Sequence, residues 1–127
     1  ELIKVKASQV APAELEGHLL EHPDVADVGV IGVPDDYSGE LPFAYVVLQP
    51  QLAELVTKDA KLAAQIKERL FKVPYDSLHV SSAKSKEKWL AGGIGFIDVV
   101  PKSQSGKILR RFLREKAAES LRTRAKL

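Results

Sequence analysis

The segment PKSQSGKILRRFLR, residues 101–114, holds the residues best suited to chemistry. The turn residues SQSG, residues 103–106, are expected to end at a helix start, with Lys107 at the helix N-terminus. Backbone amides and an ammonium group placed together there suit an oxyanion. The segment is not a Walker A loop, because Pro101 stands where that loop requires its first Gly and Ile108 stands where it requires Ser or Thr. Taken alone, the turn also fits a lysine that is only solvated.

A second polar group, Lys4, Lys6 and Gln9, lies near the start of the chain. Alternation along a strand places Lys4 and Lys6 on one face, opposite Ile3 and Val5. Two neighbouring cations on an exposed strand also protect a sheet edge against aggregation, so the pair has a purely structural explanation as well. We expect Gln9 to lie in the link to the following helix.

No nucleophilic or metal-dependent centre is indicated by the residue types present. The chain has no Cys and three His, which excludes disulfides, thiolate metal sites and cysteine nucleophiles. His18 and His22 are spaced like metal ligands on one helical turn, but a third ligand is missing and Pro23 follows at once. We therefore expect both to be surface histidines. No histidine lies in a motif typical of a catalytic triad.

The composition excludes several classes of protein. The 127 residues, 45% hydrophobic and 28% charged, suffice for one modest core and are too apolar for a disordered chain. No apolar run approaches the roughly 20 residues that span a bilayer, and no secretory signal is visible between Leu2 and Val10. We expect one intracellular domain without a membrane span. Because the chain begins with Glu1 and not with Met, we also expect a fragment of a longer protein.

Charge is concentrated toward the C-terminal end. Residues 102–127 carry a net charge of +7 and residues 1–101 a net charge of −5, although the whole chain is only +2. A cationic end on an acidic body can bind nucleic acid, phosphates or an acidic partner, and it can equally be a solvated helix face. Nucleic acid is disfavoured because Phe112 is the only aromatic residue among these cations, so stacking platforms are missing.

Apolar periodicity and turn residues predict an α+β fold, a small sandwich with a three-stranded sheet flanked by helices and a short N-terminal strand or hairpin. The second and third strands are expected to pair as a hairpin because their connection is short. The predicted elements are a strand at Leu2–Val5, a helix opened by Pro12 and ended by Pro23, strands at Val25–Val33 and Phe43–Leu48, a helix from Pro50 to about Lys72, a mobile surface loop at Val73–Lys88, a strand at Ile94–Val100 and a helix from Gly106 to about Arg122.

Three ordered blocks together resemble one family: ELIKVKASQVAPAELE, then HPDVADVGVIGVPDDYSGELPFAYVV, then GGIGFIDVVPKSQSGKILRRFLRE. They are similar to the C-terminal domain of adenylate-forming acyl- and aryl-CoA ligases, the 4-coumarate–CoA ligase-like group. The resemblance covers residues 1–118, which are taken as the mobile C-terminal domain, and leaves residues 119–127 as a flexible tail. It implies a larger N-terminal domain that holds most of the acid and ATP pocket and is absent from this sequence.

The resemblance also implies a two-step reaction and a division of labour. A carboxylate and ATP give an acyl-adenylate and pyrophosphate, and the thiol of CoA then displaces AMP, while the small domain rotates between the steps. Lys107 resembles the lysine that bridges the carboxylate and the α-phosphate. Lys4 and Gln9 match residues that contact AMP in the second conformation, and Lys6 and Ala7 match CoA-contacting positions. Mg²⁺ is expected at the N-terminal domain, and this chain alone is expected to be inactive.

The sequence differs from the usual family pattern at two places, and its C-terminal end resembles a targeting signal. Ala7 stands where the family usually has Gly, which would narrow the thiol tunnel, and the stretch Val73–Lys88 is longer than the usual link. The last residues, Ala125, Lys126 and Leu127, resemble a peroxisomal import signal and imply an import receptor as partner, with a cytoplasmic location otherwise.

Two alternatives stay open at this point. The chain could belong to an adenylation module that uses a carrier-protein thiol, although Lys6 and the peroxisomal-type tail favour free CoA. It could also be a basic interaction domain that binds nucleic acid through Arg110, Arg111 and Arg114.

Overall fold

The computed structural model describes residues 2–5, 8–72 and 90–126. The strands and helices form the α+β fold that the sequence predicts, with a two-stranded hairpin at the N-terminal end and two helices, not one, after Pro50. Their bounds are β1 (Ile3–Val5), β2 (Ser8–Val10), α1 (Pro12–Leu20), β3 (Val25–Asp35), β4 (Gly39–Leu48), α2 (Pro50–Lys58), α3 (Ala60–Phe71), β5 (Gly93–Phe96) and α4 (Arg110–Lys126). Pro12 and Pro50 each open a helix, where a missing N–H and a fixed φ cost nothing.

The five strands form one sheet around an antiparallel ribbon of β3 and β4. These two strands pair from Val25–Leu48 at one end to Asp35–Gly39 beside the turn, which confirms the predicted hairpin. β5 lies parallel to β4 on its other side, from Phe43–Gly93 to Val46–Phe96, and completes the predicted three-stranded sheet. The N-terminal hairpin β1–β2 joins β4 at Val5–Gly39, so β3 forms one edge of the sheet.

Buried side chains fill both faces of the sheet. On one face α1 and α3 cover the valines of β3 and β4, with Leu15, Leu19, Ile66 and Leu70 fully buried. On the other face α4 covers the sheet, and its Leu113 packs near Ile31 and Tyr45. Successive residues of each strand point to opposite faces of the sheet, so each face receives every second side chain, as expected for a sheet covered by helices.

Gly29 of β3 permits the close approach of α4. A Cβ at this position would lie 2.7 Å from Leu113 Cδ1 and 3.3 Å from Val100 Cγ1. The missing side chain therefore lets the segment that precedes α4, and the first turns of α4, rest directly on the strand. Gly29 and Asp27 lie on the same face of β3, because alternate strand residues share a face.

Besides the start of β4, which lies at Gly39 and not at Phe43, three predicted boundaries are wrong, each for a local reason. The long helix from Pro50 breaks at Asp59, whose carboxylate accepts the Leu62 N–H (3.0 Å) and caps a separate α3. The last strand ends at Phe96 and not at Val100, since the chain leaves the sheet after Ile97 N–H donates to Val46 O (3.0 Å).

The third error concerns the last helix, which begins at Arg110 and not at Gly106. It continues to Lys126, across the proposed boundary between residues 118 and 119, and that division of the chain stays a prediction. Among the described helices, none combines the length and the apolar character that crossing a bilayer requires.

Candidate functional site

Lys107 lies in a small hairpin, residues 102–108, which we call the lysine hairpin. Lys102 and Ile108 pair across its base as an antiparallel bridge. Ser103 N–H donates to Lys107 O (2.8 Å), and Lys107 N–H donates to Ser103 Oγ (3.2 Å). Gly106 supplies the left-handed residue of the turn, with φ +90°, a conformation that favours glycine. These bonds fix the backbone of Lys107 at both its N–H and its carbonyl.

The Lys107 side chain is exposed, and within the described residues no carboxylate forms an ion pair with its ammonium group. The site is therefore a solvent-facing cation on a fixed backbone, which fits an anionic ligand such as a phosphate or a carboxylate. The position of Lys107 differs from the prediction. It precedes α4 by a hairpin arm and does not stand at the helix N-terminus, because its backbone is bonded to Ser103 and not to the first helical turn.

Lys4 and Gln9 lie directly opposite each other in the hairpin β1–β2. Cross-strand partners share one face, so the two polar side chains are neighbours, and both are exposed. Ile3 points to the opposite face and is buried in the core. Gln9 was predicted to lie in a link, which is wrong, because it belongs to a strand that pairs with β1. The Lys4 N–H donates to the Glu40 carboxylate (2.9 Å), which fastens the hairpin to β4.

The two candidate groups lie at opposite ends of the β3–β4 ribbon. The hairpin with Lys4 joins the ribbon at the Asp35–Gly39 end. The lysine hairpin joins it at Asp27, where Lys102 Nζ lies 2.7 Å from the Asp27 carboxylate. The strand rise of about 3.3 Å per residue separates Asp27 from Asp35 by about 25 Å. The structure thus brings Lys4 and Gln9 together and holds the lysine hairpin apart from them.

A buried ion pair that the sequence did not reveal fastens the start of α4. Arg110 Nη2 lies 2.9 and 2.8 Å from the two carboxylate oxygens of Glu16, and Arg110 Nε donates to Val30 O (3.1 Å). Glu16 in turn accepts the Val30 N–H (2.8 Å). Since β3 is the edge of the sheet, these two side chains satisfy the outward backbone groups of Val30 and cover the edge.

This arrangement bears on the nucleic-acid alternative, which used Arg110 as a ligand for phosphates. The Arg110 guanidinium faces Glu16 and the backbone of Val30, and the side chain is only 19% exposed, so it is largely occupied within the domain. Arg111 lies with its guanidinium carbon 5.1 Å from the centre of the Phe112 ring. The pairing of Glu16 with Arg110 had no local signal, because the two residues are 94 positions apart.

Several predicted features lie outside the described residues. They are Lys6, Ala7, the stretch Val73–Lys88 and the terminal Leu127, and the side chains of Ala125 and Lys126 are not described either.

The histidines were predicted to lie on the surface, and this is wrong for His18, which is buried at 5% exposure on the core side of α1. His22 is half-buried, and its Nδ1 accepts the Asp24 N–H (3.1 Å). In the part of the chain that the structure describes, no group of three or more His, Asp or Glu side chains could hold a metal ion.

Comparison with known proteins identifies the family. A profile described as "AMP-binding enzyme C-terminal domain" matches residues 14–107, a span that ends at Lys107. The chain therefore belongs to the family of AMP-binding enzyme C-terminal domains, which confirms the resemblance found in the sequence.

Individual relatives agree with this assignment. The chain is 47% identical over 117 residues to an acyl-CoA ligase of Purpureocillium lilacinum, covering 92% of this chain and 27% of that protein. It is 46% identical over 114 residues to a luciferin 4-monooxygenase of Photuris pensylvanica, covering 90% and 18%. An acyl-CoA synthetase of Brucella canis has a similar structure, with a TM-score of 0.60 and 29% identity over 95% of this chain and 20% of that one. The chain thus spans about a fifth to a quarter of the length of these proteins.

Proposed function

We propose that this chain is the C-terminal domain of an ATP-dependent acid–CoA ligase and that it acts with an N-terminal domain of the same polypeptide. In the first step a carboxylate and ATP give an acyl-adenylate and pyrophosphate, and in the second the CoA thiol displaces AMP. Family membership and the acyl-CoA ligase relative support this proposal. The carrier-protein and nucleic-acid alternatives receive no support from these relatives.

The observation that carries the proposal is the exposed ammonium group of Lys107 on a backbone fixed by the lysine hairpin. Two anions must approach each other in the first step, the substrate carboxylate and the α-phosphate. A cation between them lowers the electrostatic cost of that approach and stabilises the charge that develops at phosphorus. Because the Lys107 backbone is already ordered, little reorganisation is needed when the substrates arrive.

Lys4 and Gln9 are assigned to the second step, where they would contact AMP as the leaving group. The two groups join the β3–β4 ribbon toward opposite ends, and Asp27 and Asp35 at those ends are about 25 Å apart, which favours two orientations of this domain, one for each step. Lys6 and Ala7 are proposed as CoA contacts on sequence grounds. Mg²⁺ is expected on the N-terminal domain, where it would neutralise charge on the phosphates of ATP.

The test compares Lys107→Ala with Lys58→Ala, a matched change of an exposed lysine on α2, in the complete ligase polypeptide. Lys107→Ala should lower pyrophosphate release in the first step by about 10²–10³ and leave CoA transfer from supplied acyl-adenylate nearly intact. Lys58→Ala should change neither step. Equal loss of both steps in Lys107→Ala, or loss of neither, would contradict the assignment.

We further propose peroxisomal import through Ala125, Lys126 and Leu127, on the sequence alone. Removing these three residues from a fluorescent fusion should move it from peroxisomes to the cytosol without changing the kinetics of the ligase. Unaltered peroxisomal fluorescence would show that this tripeptide is not the signal.

A further inference from the structure

An ion pair fastens the base of the lysine hairpin to the sheet. Lys102 Nζ lies 2.7 Å from Asp27 Oδ2, although the two residues are 75 positions apart in sequence. We call this the base ion pair. Its side chains are 39% and 31% exposed, so the charges are partly hydrated, and pairs of this kind add little to folding stability. Because the base ion pair lies beside a candidate catalytic lysine, we look for its role in the positioning of that lysine and not in folding stability.

The Asp27 end of the base ion pair is itself held by the sheet. Asp27 Oδ1 accepts the Val28 N–H (2.9 Å), while Oδ2 receives Lys102. The pairing of β3 with β4 shifts register between Val25 and Asp27, an irregularity of the kind that redirects side chains. Both carboxylate oxygens are thus engaged, and the carboxylate has a defined direction relative to the strand.

The Lys102 end is coupled to Lys107 through the backbone. Lys102 pairs with Ile108, the residue after Lys107, across the base of the lysine hairpin. The next residue, Ser103, then bonds Lys107 twice, through its N–H (2.8 Å) and its hydroxyl (3.2 Å). A shift of Lys102 relative to the sheet would therefore be passed to Lys107 over two residues.

Packing supports the same base from the second arm of the hairpin. A Cβ on Gly29 would lie 3.5 Å from Ile108 Cγ2, so Ile108 rests on β3 two residues from Asp27. One arm of the hairpin is held by charge and the other by apolar contact. Loss of the charge would leave the apolar contacts of Ile108 and of Val100, two residues before Lys102, as pivots and would loosen the Lys102 arm between them.

We propose that Asp27 and Lys102 are positioning residues for the first half-reaction, because the base ion pair sets where the Lys107 ammonium group is presented. The proposal rests on the proposed function of Lys107. Neither residue touches substrate in this account. A misplacement of about 1 Å at a catalytic group can cost about 10²-fold in rate, so partial loss of alignment is expected to cost about tenfold.

The experiment measures both half-reactions and the urea midpoint of the complete ligase for a set of variants. Asp27→Asn keeps the oxygen that accepts the Val28 N–H and removes the charge, and Lys102→Met removes the other charge at similar length. Each should lower kcat of adenylation about tenfold, with CoA transfer from supplied acyl-adenylate and the urea midpoint nearly unchanged. The double variant should lose no more than either single variant, and Lys102→Arg, which keeps the charge, should retain most of the rate.

The matched control is the exposed pair between Glu68 of α3 and Lys72, the residue that follows α3, whose charged atoms are 2.9 Å apart. Glu68→Gln and Lys72→Met should leave both half-reactions unchanged. If Asp27→Asn leaves adenylation intact while Lys107→Ala abolishes it, the positioning inference is wrong and the proposed function stands. If Lys107→Ala is also without effect, the proposed function itself fails. Parallel loss of both half-reactions and of the urea midpoint in Asp27→Asn would show a merely structural pair and overturn the inference.

Discussion

The buried pair between Glu16 and Arg110 gives the sharpest prediction about stability. The two side chains are 9% and 19% exposed and are joined by two contacts, of 2.9 and 2.8 Å. Arg110→Met removes both contacts and the bond to Val30 O, and leaves the Glu16 carboxylate with the Val30 N–H as its remaining donor in that network. Breaking one side of a buried pair costs about 3–5 kcal/mol. Because Arg110 is partly hydrated, the lower end of about 3 kcal/mol applies.

The double variant Glu16→Gln/Arg110→Met should be more stable than Arg110→Met alone. Glutamine keeps an oxygen that accepts the Val30 N–H, and no buried charge is left without its counterion. The remaining cost is the donor lost at Val30 O, about 1 kcal/mol. The second substitution should therefore restore about 2 kcal/mol, the difference between these two estimates. Neighbouring residues in one network are expected to show such non-additivity.

Urea-induced unfolding of the 127-residue chain, followed by circular dichroism, measures these free energies directly. Lys72→Met, which breaks an ion pair between side chains 70% and 65% exposed, provides the control and should cost less than about 0.5 kcal/mol. A double variant that is less stable than Arg110→Met would refute the reasoning, because it would mean that the uncompensated Glu16 carboxylate is not the main cost.

Two further predictions concern the face of the sheet near β5 and α4. Gly92→Ala places a Cβ 2.6 Å from the backbone oxygen of Pro42, which cannot rotate away, and should lower the free energy of unfolding by about 1–3 kcal/mol in the same urea assay. Burial raises the pKa of the Tyr45 hydroxyl, and a hydrogen bond to Ser120 opposes this shift in part. The folded state therefore keeps the hydroxyl proton above pH 10, where the unfolded chain releases it. Stability should therefore fall as pH rises from about 10 toward the folded pKa, and this fall should be smaller in Tyr45→Phe, measured as the urea midpoint against pH.

The elements of this fold were predictable where one residue type decides the local geometry. Pro12 and Pro50 open helices, and the β3–β4 hairpin follows from apolar strands joined by the turn residues PDDYSG. The break at Asp59 also had a signal, because Asp is a preferred N-cap, but the apolar periodicity on both sides of it concealed the break. The predicted start of the last helix was wrong because the helical periodicity of ILRRFL, residues 108–113, begins at Ile108, which lies in an arm of the lysine hairpin.

The sequence indicated candidate site residues, whose roles stay predictions, and it did not indicate the geometry that holds them. The types of Lys107, Lys4 and Gln9, together with their order in the chain, indicated the family, which the comparison confirmed. The pairings that hold them in place were not readable, because Asp27 meets Lys102 over 75 positions and Glu16 meets Arg110 over 94. Nothing local distinguishes these charges from solvated ones, and only the folded ribbon brings them together.

Carboxylates at both ends of the β3–β4 ribbon fasten the two polar hairpins. Asp27 binds the side chain of Lys102 at one end, and Glu40 accepts the backbone N–H of Lys4 at the other. Each hairpin is therefore joined to the ribbon, both of whose faces are packed against helices and which β5 extends. Breaking the Asp27–Lys102 contact is not expected to disturb the Glu40–Lys4 contact directly, because about 25 Å of paired strand separates the two ends. In the proposed two-step reaction, such a ribbon between two hairpins would let the domain present one end and then the other, because turning the whole body moves each site without deforming either.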